Sequence, residues 1–206
     1  MYSEMLAEGM VPLEKQQQYA CTLKAQADRL SYLVENVLQL ARLERGPVKI
    51  IKERLTVTEL LERFQLRLEE RAAEGHMQLI FEIEESIAQH TLVTQAVAIE
   101  QILFNLVDNA CKYAQPADDK RIVLSVSRSA SHFQFCVRDF GPGISPIERR
   151  LMFQPFHQSK LAMENAVSGV GLGLALCHRM ATSVGGRLFN KDCPTGTMFI
   201  LELPSV

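Results

Sequence analysis

The sequence predicts an α+β fold: a two-layer α/β sandwich with a mixed, mostly antiparallel sheet, preceded by a helical hairpin. Three observations support this fold class. Residues 13–45 follow a heptad-like helical pattern, two pairs of alternating segments are typical of β-hairpins, and helical segments are set among these strands. Neighbouring strands that pair as hairpins favour this class over a doubly wound parallel sheet.

Composition sets the first limits on function. The chain has 206 residues, 47% hydrophobic and 22% charged, which suggests one full domain plus an additional piece. A net charge of −2 provides no basic field for nucleic acid or an anionic membrane. No run of 18 apolar residues occurs, so no segment is predicted to span a membrane. Five scattered cysteines without CxxC spacing indicate reduced, buried thiols in a cytosolic setting: Cys21, Cys111, Cys136, Cys177 and Cys193.

The long N-terminal helix is predicted from a seam of apolar residues at alternating spacings of four and three. Its members are Leu23, Ala27, Leu30, Val34, Val37 and Ala41, with Leu33 and Leu40 widening it on one side. Residues 1–8 resemble the last turns of an earlier helix that stops at Gly9, and Pro12 opens the next helix. We interpret residues 1–46 as a helical hairpin with a short first arm; the alternative is an exposed coiled-coil linker.

Gly46-Pro47 marks the boundary of a second domain, residues 47–206. Thr56 and Glu59 predict a capping box for a helix that stops at Gly75. The remaining predicted elements are a strand at "MQLIFEI", a helix over 95–114, a hairpin of "RIVLSVSRS" and "HFQFCVRDF", a helix over 171–184, and a hairpin of "GRLFNKD" and "GTMFILELP".

One face of the helix over 95–114 is polar where a core helix would be apolar. Asn105, Asn109 and Lys112 are spaced by four and three, which places them on the same face. Carboxamide oxygens suit Mg²⁺, and an ammonium suits phosphate. Two capping or exposed asparagines remain the alternative.

Three further segments carry glycines or polar groups at element ends. "DFGPG" places Asp139 at a strand end, before Gly141 and Gly143. Protein kinases of the eukaryotic type share the Asp-Phe-Gly triplet, but their glycine-rich loop, strand lysine and catalytic loop do not precede it here. "SGVGLGLAL" places three glycines ahead of a helix, where bare amides can bind phosphate. "PTGTMF" is a turn that enters the last strand.

In this order, the segments resemble the ATP-binding domain of sensor histidine kinases, in the Bergerat fold shared with gyrase, Hsp90 and MutL. "NLVDNACKYA" resembles the N box, "DFGPG" the G1 box, "FQPF" the F box, "GVGLGL" the G2 box and "GTMF" the G3 box. The resemblance covers residues 55–204. "DRLSYLVENVLQLARLE" is similar to the second helix of the family's dimerisation and phosphoacceptor hairpin.

The resemblance implies ATP and Mg²⁺ as ligands and assigns roles on the N-box helix. Asn109 ligates Mg²⁺ with Asn105 beside it, Lys112 holds phosphate, and Tyr113 lines the nucleotide. In the gyrase, Hsp90 and MutL branches, a glutamate that activates water stands where this chain has Asn105. An asparagine is a poor general base, so we expect slow ATP hydrolysis and a phosphoryl donor.

The resemblance also assigns the glycine boxes and the segment between them. Asp139 accepts a hydrogen bond from the adenine amine, with Thr197 in support, and Gly141 and Gly143 pass close to the base. Residues 141–169 form a lid over ATP, with Phe153 and Phe156 as its apolar hinge. The remaining implied site residues are the amide donors Gly169, Gly171 and Gly173, their neighbour Leu174, and the lid cation Lys160.

The family's phosphoacceptor H box is a histidine followed by an acidic residue and Pro-Leu, and the five histidines do not show it: His76, His90, His132, His157 and His178. We therefore expect a fragment of a longer sensor kinase that binds ATP without autophosphorylating. Its expected partners are a response-regulator receiver domain and a second copy bound through the hairpin, with no nucleic acid and with a membrane only through upstream segments. The fragment itself is expected in the cytoplasm, and its full-length parent in the inner membrane.

Two other functions remain open at this point. One is an ATPase of the gyrase or Hsp90 branch, and the other is a serine kinase or nucleotide-binding regulator of the anti-sigma-factor type. Steady ATP turnover would favour the first, and a phosphorylated serine on a partner the second.

Overall fold

The computed structural model describes residues 12–44, 52–129, 131–159 and 171–205. Its elements in chain order are α1 Leu13–Glu44, β1 Glu53–Thr56, α2 Val57–Glu62, α3 Gln65–Glu74, β2 Gln78–Ile83, α4 Glu85–Ala88, β3 Thr91–Thr94, α5 Ala96–Tyr113, β4 Arg121–Arg128, β5 His132–Asp139, α6 Pro146–Leu151, α7 Gly173–Ser183, β6 Arg187–Lys191 and β7 Met198–Pro204.

In the part of the chain that the structure describes, the main sheet has five strands in the order β2-β4-β5-β7-β6. Within this sheet β2 and β4 pair in parallel, and the β4–β5, β5–β7 and β6–β7 pairs are antiparallel. Helices α3, α5 and α7 contact these strands, and α1 contacts α7. The predicted two-layer sandwich with a mostly antiparallel sheet is therefore confirmed, as are both hairpins.

The core lies between the helices and the inward face of the sheet. Strand β5 shows the alternating burial expected of a strand with one face in the core. Its residues Phe133, Phe135 and Val137 are buried, and the residues between them are half-buried. Ile102 and Leu106, one turn apart on α5, belong to the same core with almost no exposed surface. The core is thus built from the two periodicities visible in the sequence.

Two helices replace the one predicted between Thr56 and Gly75. The capping box of Thr56 and Glu59 starts α2 as predicted, but the chain turns at Arg63–Phe64 and restarts as α3. The turn has a tertiary cause: α2 packs on β1 and α4, whereas α3 packs on α5 and β2. Phe64 is 1% exposed at the turn, so the break buries an aromatic ring instead of exposing it.

Four short elements were not predicted. Strands β1 and β3 form a separate two-stranded antiparallel sheet, and α4 lies between β2 and β3. Helix α6 lies inside residues 141–169, the segment that the resemblance assigns to the lid. Ser145 and Glu148 form its capping box and Pro146 is its first residue, so "SPIE" was a readable start signal.

Some predictions fall outside the described residues: the first hairpin arm over 1–8, the stop at Gly9 and the boundary at Gly46-Pro47. The long helix of the hairpin is present as α1. Across the helices that the structure describes, none combines the length and apolar character needed to cross a membrane.

Candidate nucleotide-binding site

The predicted site residues lie on or beside three elements, β5, α5 and α7, and contacts join β5 to α5 and α5 to α7. Asp139 is the last residue of β5, and the residue two positions later, Gly141, lies against Ala114, the C-cap of α5. Asn105 of α5 faces Cys177 of α7, since the two side chains interact. The fold therefore joins segments that are far apart in sequence.

Asp139 is buried, 6% exposed, and its carboxylate is fixed by backbone donors. The Gly141 N–H donates to Oδ1 at 2.9 Å and the Thr197 N–H donates to the same oxygen at 3.1 Å. Burial raises the pKa of the Asp139 carboxylate, and hydrogen bonds from the Gly141 and Thr197 amides and the Thr197 hydroxyl oppose this shift in part. Both amides donate to Oδ1, so neither of them occupies Oδ2.

Close backbone contacts surround this carboxylate and require glycine. An added Cβ at Gly196, whose φ is +77°, would collide with the carbonyl oxygen of Asp139. An added Cβ at Gly141 would lie 2.9 Å from Ala114 Cα and 3.1 Å from Asp139 Oδ1. Gly143, with φ +78°, faces the carbonyl oxygen of Gly196. The G1 and G3 boxes therefore form one contact that holds Asp139 in place.

The two asparagines of the polar face differ in their surroundings. Asn105 is 3% exposed, and its Nδ2 donates to the Gln101 carbonyl at 3.0 Å. Burial raises the pKa of Cys177 to about 12, against the opposing effect of its hydrogen bond with Asn105. The Asn109 Nδ2 is buried and has no hydrogen-bond partner among the described residues. A buried amide without a partner is costly, so Asn109 is suited to receive a ligand.

Lys112 belongs to a three-residue ion cluster. Its Nζ lies 2.5 Å from Asp108 Oδ2, and the other oxygen of Asp108 accepts from Arg71 Nε of α3 at 2.8 Å. The side chains of Asp108, Arg71 and Lys112 are 11%, 20% and 24% exposed. The cluster thus links the N-box helix to α3 through a nearly buried carboxylate.

Tyr113 closes α5 and is 37% exposed, with the pKa of its hydroxyl raised by burial. Phe153 packs its ring on His178 at 4.9 Å and on Phe199 at 6.5 Å between centroids. Phe156, by contrast, is 66% exposed at a φ of +65°. Of the two predicted hinge aromatics, Phe153 is therefore the one that packs on the core.

Helix α7 begins at Gly173, and Leu174 packs on the core beside it. Gly171, with φ +73°, accepts a hydrogen bond from the Phe156 N–H at 2.9 Å and has no room for a side chain beside the His157 carbonyl. The chain at the end of the F box, at Phe156 and His157, therefore contacts Gly171 of the G2 box. Gly169 and Lys160 lie outside the described residues.

Sequence reasoning missed three residues that organise this site: Asp108, Arg71 and Gly196. Asp108 stands four residues before Lys112, and this spacing is a visible signal for an ion pair on one helix. Arg71 gave no comparable signal, because its partner is 37 residues away and the contact depends on how α3 packs on α5. Gly196 was part of the "GTMF" segment but received no role of its own.

Two curated relatives align along nearly the whole chain. The sensor protein SrrB of Staphylococcus aureus (strain MRSA252) is 27% identical over 206 residues, covering 98% of this chain and 34% of SrrB. The signal transduction histidine-protein kinase/phosphatase MprB of Mycolicibacterium paratuberculosis (strain ATCC BAA-968 / K-10) is 29% identical over 199 residues, covering 94% and 36%. The chain therefore spans about a third of the length of these curated relatives.

Solved structures agree with the fold. Full-length ShkA in complex with AMPPNP superposes with a TM-score of 0.76 at 27% identity, covering 93% of this chain and 39% of ShkA. The histidine kinase AdeS of Acinetobacter baumannii superposes with a TM-score of 0.75 at 20% identity, covering 99% and 91%. The second likeness supports the fold alone.

A family model matches residues 94–206, which include the N box, all three glycine boxes and the final hairpin. The match covers more than half of the chain, and it agrees with the ordered boxes and the sheet topology described above. The predicted family is confirmed: the chain belongs to the histidine kinase-, DNA gyrase B- and HSP90-like ATPase family.

Proposed function

We propose that this chain is the ATP-binding kinase domain of a two-component sensor histidine kinase. In this function it transfers the γ-phosphoryl group of ATP to a histidine on a dimerisation helix, for relay to an aspartate of a response regulator. The curated relatives are named as sensor and histidine kinase proteins, and α1 precedes the ATP-binding domain, where the sequence resemblance expects the second helix of a hairpin.

The environment of Asp139 is the observation that carries this proposal. A buried carboxylate with one oxygen fixed by two backbone amides presents its second oxygen as an acceptor for a ligand donor. The exocyclic amine of adenine is such a donor, whereas guanine has a carbonyl oxygen at the same position. The buried acceptor oxygen of Asp139, with the backbone of Gly141 close beside it, therefore favours adenine over guanine.

The N-box side chains are suited to Mg²⁺ and phosphate. The Asn109 amide, which has no hydrogen-bond partner among the described residues, would gain one by donating to a phosphate oxygen, or could turn over and present its oxygen to the metal. Asn105 lies one turn earlier on the same helix, so it is the neighbouring candidate for that coordination sphere. Bound Mg²⁺ would neutralise charge on the triphosphate. Lys112 would hold a phosphate from the next turn of the helix.

The surroundings of Asn105 bear on the competing ATPase function. A carboxamide cannot accept a proton at neutral pH, and this one already donates to the Gln101 carbonyl. No group at this position can therefore activate water, so ATP should persist until an acceptor histidine reaches it. This difference favours a phosphoryl donor over an ATP-driven clamp.

The remaining roles follow the glycine-rich start of α7. The amides of Gly171 and Gly173, together with Gly169, would donate to the phosphates, with Leu174 behind them and Gly143 beside the base. Tyr113 would line the nucleotide and Thr197 would support Asp139. Lys160 would be the lid cation at the γ-phosphate. In the full-length protein, a second copy would bind through the hairpin, and a receiver domain would take the phosphoryl group.

Two measurements test the proposal. Calorimetry with ATP and GTP in the presence of Mg²⁺ should show binding of ATP and much weaker binding of GTP. The chain is then mixed with γ-labelled ATP and a separately prepared helical hairpin that carries an H box from a relative. Acid-labile, base-stable label on that hairpin is the expected product, because phosphohistidine has this stability.

The same hairpin with its histidine replaced by alanine is the matched control and should take no label. Label on a serine, or steady ATP turnover without an acceptor, would support one of the two alternative functions. Equal affinity for ATP and GTP would contradict the role given to Asp139.

A further inference from the structure

We infer that Arg71 is a positioning residue for the nucleotide: by holding Asp108, it allows Lys112 to move from that carboxylate to the phosphates. The inference rests on the proposed function, since it assumes that a nucleotide phosphate reaches Lys112. It concerns a side chain on α3, outside every sequence box described above.

Geometry is the first argument. The two cations do not compete for one oxygen of Asp108: Arg71 Nε is bound to Oδ1 at 2.8 Å, and Lys112 Nζ lies at Oδ2 at 2.5 Å. Each ion pair can therefore break while the other persists. Arg71 is also fixed from its own side, because its carbonyl accepts from the Cys111 thiol at 3.7 Å and its Nη1 lies 3.8 Å from Glu74.

Burial is the second argument. The Asp108 side chain is 11% exposed, so an unpaired charge there would be poorly solvated. When Lys112 moves toward a phosphate, Asp108 keeps Arg71 and stays neutralised. Without Arg71, the same movement would leave a buried carboxylate without a cation. Lys112 would then stay on Asp108, and the phosphates would lose its charge.

The location is the third argument. Asp108 lies next to Asn109, whose buried amide has no partner within the described ranges, and Lys112 is the last cation of α5. Asn109 and Lys112 are three residues apart and share a face of α5, so the ion cluster and the Asn109 amide lie at the same end of the helix. A triphosphate bound there would meet Lys112 as it leaves Asp108.

Calorimetry of four variants with Mg²⁺ and either ATP or adenosine tests the inference. Arg71→Gln should weaken ATP binding about tenfold and leave adenosine binding unchanged, because adenosine has no phosphate for Lys112. Arg71→Lys keeps a cation at this place and should stay within about threefold of the unmodified chain. Arg67→Gln is the matched control on the same helix: Arg67 pairs with Glu100 and covers the Phe104 ring. It should change neither affinity.

The double variant Arg71→Gln/Asp108→Asn gives the sharpest result. It removes the carboxylate that would retain Lys112, so ATP affinity should return to within about threefold of the unmodified chain. A purely structural role for Arg71 predicts the opposite, since removing a second buried partner would not repair the packing. Recovery of ATP binding in the double variant would therefore support the transfer of Lys112.

Three outcomes would overturn the inference. One is a parallel loss of ATP and adenosine binding in Arg71→Gln, which would make Arg71 a structural residue. Another is unchanged ATP affinity in Arg71→Gln, and the third is no recovery in the double variant. If the unmodified chain binds neither ATP nor adenosine, the proposed function fails and this inference fails with it.

Discussion

The Thr197 amide donates to Asp139 Oδ1 at 3.1 Å, although the two residues are 58 positions apart in the sequence. Their backbones also pair, because the Asp139 N–H donates to the Thr197 carbonyl at 2.9 Å. The pairing of β5 with β7 thus extends to Asp139 and Thr197, the residue just before β7. This pairing fixes the orientation of the carboxylate to which we assign the recognition of adenine.

Asp139→Asn should weaken ATP binding at least about tenfold. The asparagine can still accept the two backbone amides through one oxygen, but its second group is a donor that faces the donor of adenine, a mismatch of about 1–3 kcal/mol. Calorimetry measures the affinity. Asp119→Asn is the matched control, since that carboxylate pairs with Arg121 at 2.7 Å. Unchanged affinity in Asp139→Asn would rule out the adenine assignment.

The same variant should change the pH dependence of stability. Burial raises the pKa of Asp139, so between the ordinary and the raised pKa the folded state binds more protons than the unfolded state. Stability therefore falls as pH rises through this window. Near pH 7, the free energy of unfolding of Asp139→Asn should be larger than that of the unmodified chain. This difference in stability should disappear toward about pH 4. Urea titrations of both proteins at the two pH values measure the difference in stability. A difference that grows at low pH would contradict the prediction.

Gly196→Ala should cost more stability than Gly185→Ala. Both residues have a positive φ, +77° and +84°, which costs an alanine about 1–2 kcal/mol. An added Cβ at Gly185 meets no atom within 4 Å, whereas at Gly196 it meets the Asp139 carbonyl. Chemical denaturation should show the two costs differing by more than about 1 kcal/mol, and ATP binding lost only in Gly196→Ala. Equal costs would mean that the turn relaxes without affecting Asp139.

The cysteines should differ in their rates of reaction with an alkylating reagent near neutral pH. Burial raises the pKa of Cys111 to about 11 and that of Cys177 to about 12, so both remain protonated and enclosed. Cys21, which the sequence predicted to be buried, is instead exposed on α1 and should be labelled first. Mass spectrometry of digested, time-quenched samples gives the order. Rapid labelling of Cys177 in the native state would contradict the burial of the α5–α7 contact.

A row of exposed aliphatic side chains on α1 should support weak self-association. Leu30, Val34 and Leu38 lie one turn apart and are 61%, 50% and 51% exposed. Leu30→Glu/Val34→Glu should abolish any concentration-dependent dimer seen by light scattering, because carboxylates would enter the shared apolar surface. Val97→Glu is the matched control, at a residue 69% exposed on α5. A monodisperse monomer of the unmodified chain at high concentration would contradict the expectation.

The sequence by itself determined the parts of this protein that depend on local pattern. The heptad spacing predicted α1, alternation predicted the strands of both hairpins, and the capping box of Thr56 and Glu59 marked the start of α2. Asn105, Asn109 and Lys112 share a helix face because helical geometry requires it. The ordered boxes were enough to predict the family, which the match over residues 94–206 confirms.

Only the tertiary structure decided which of these side chains have interaction partners and which residues those partners are. Helical spacing could not show that Asn105 is enclosed beside Cys177 while the amide of Asn109 lacks a partner among the described residues. It could not place Arg71 on Asp108, because that contact depends on how α3 turns away from α2 at Phe64. Burial, pKa shifts and long-range ion pairs arise from the packing of distant segments, so no local pattern encodes them.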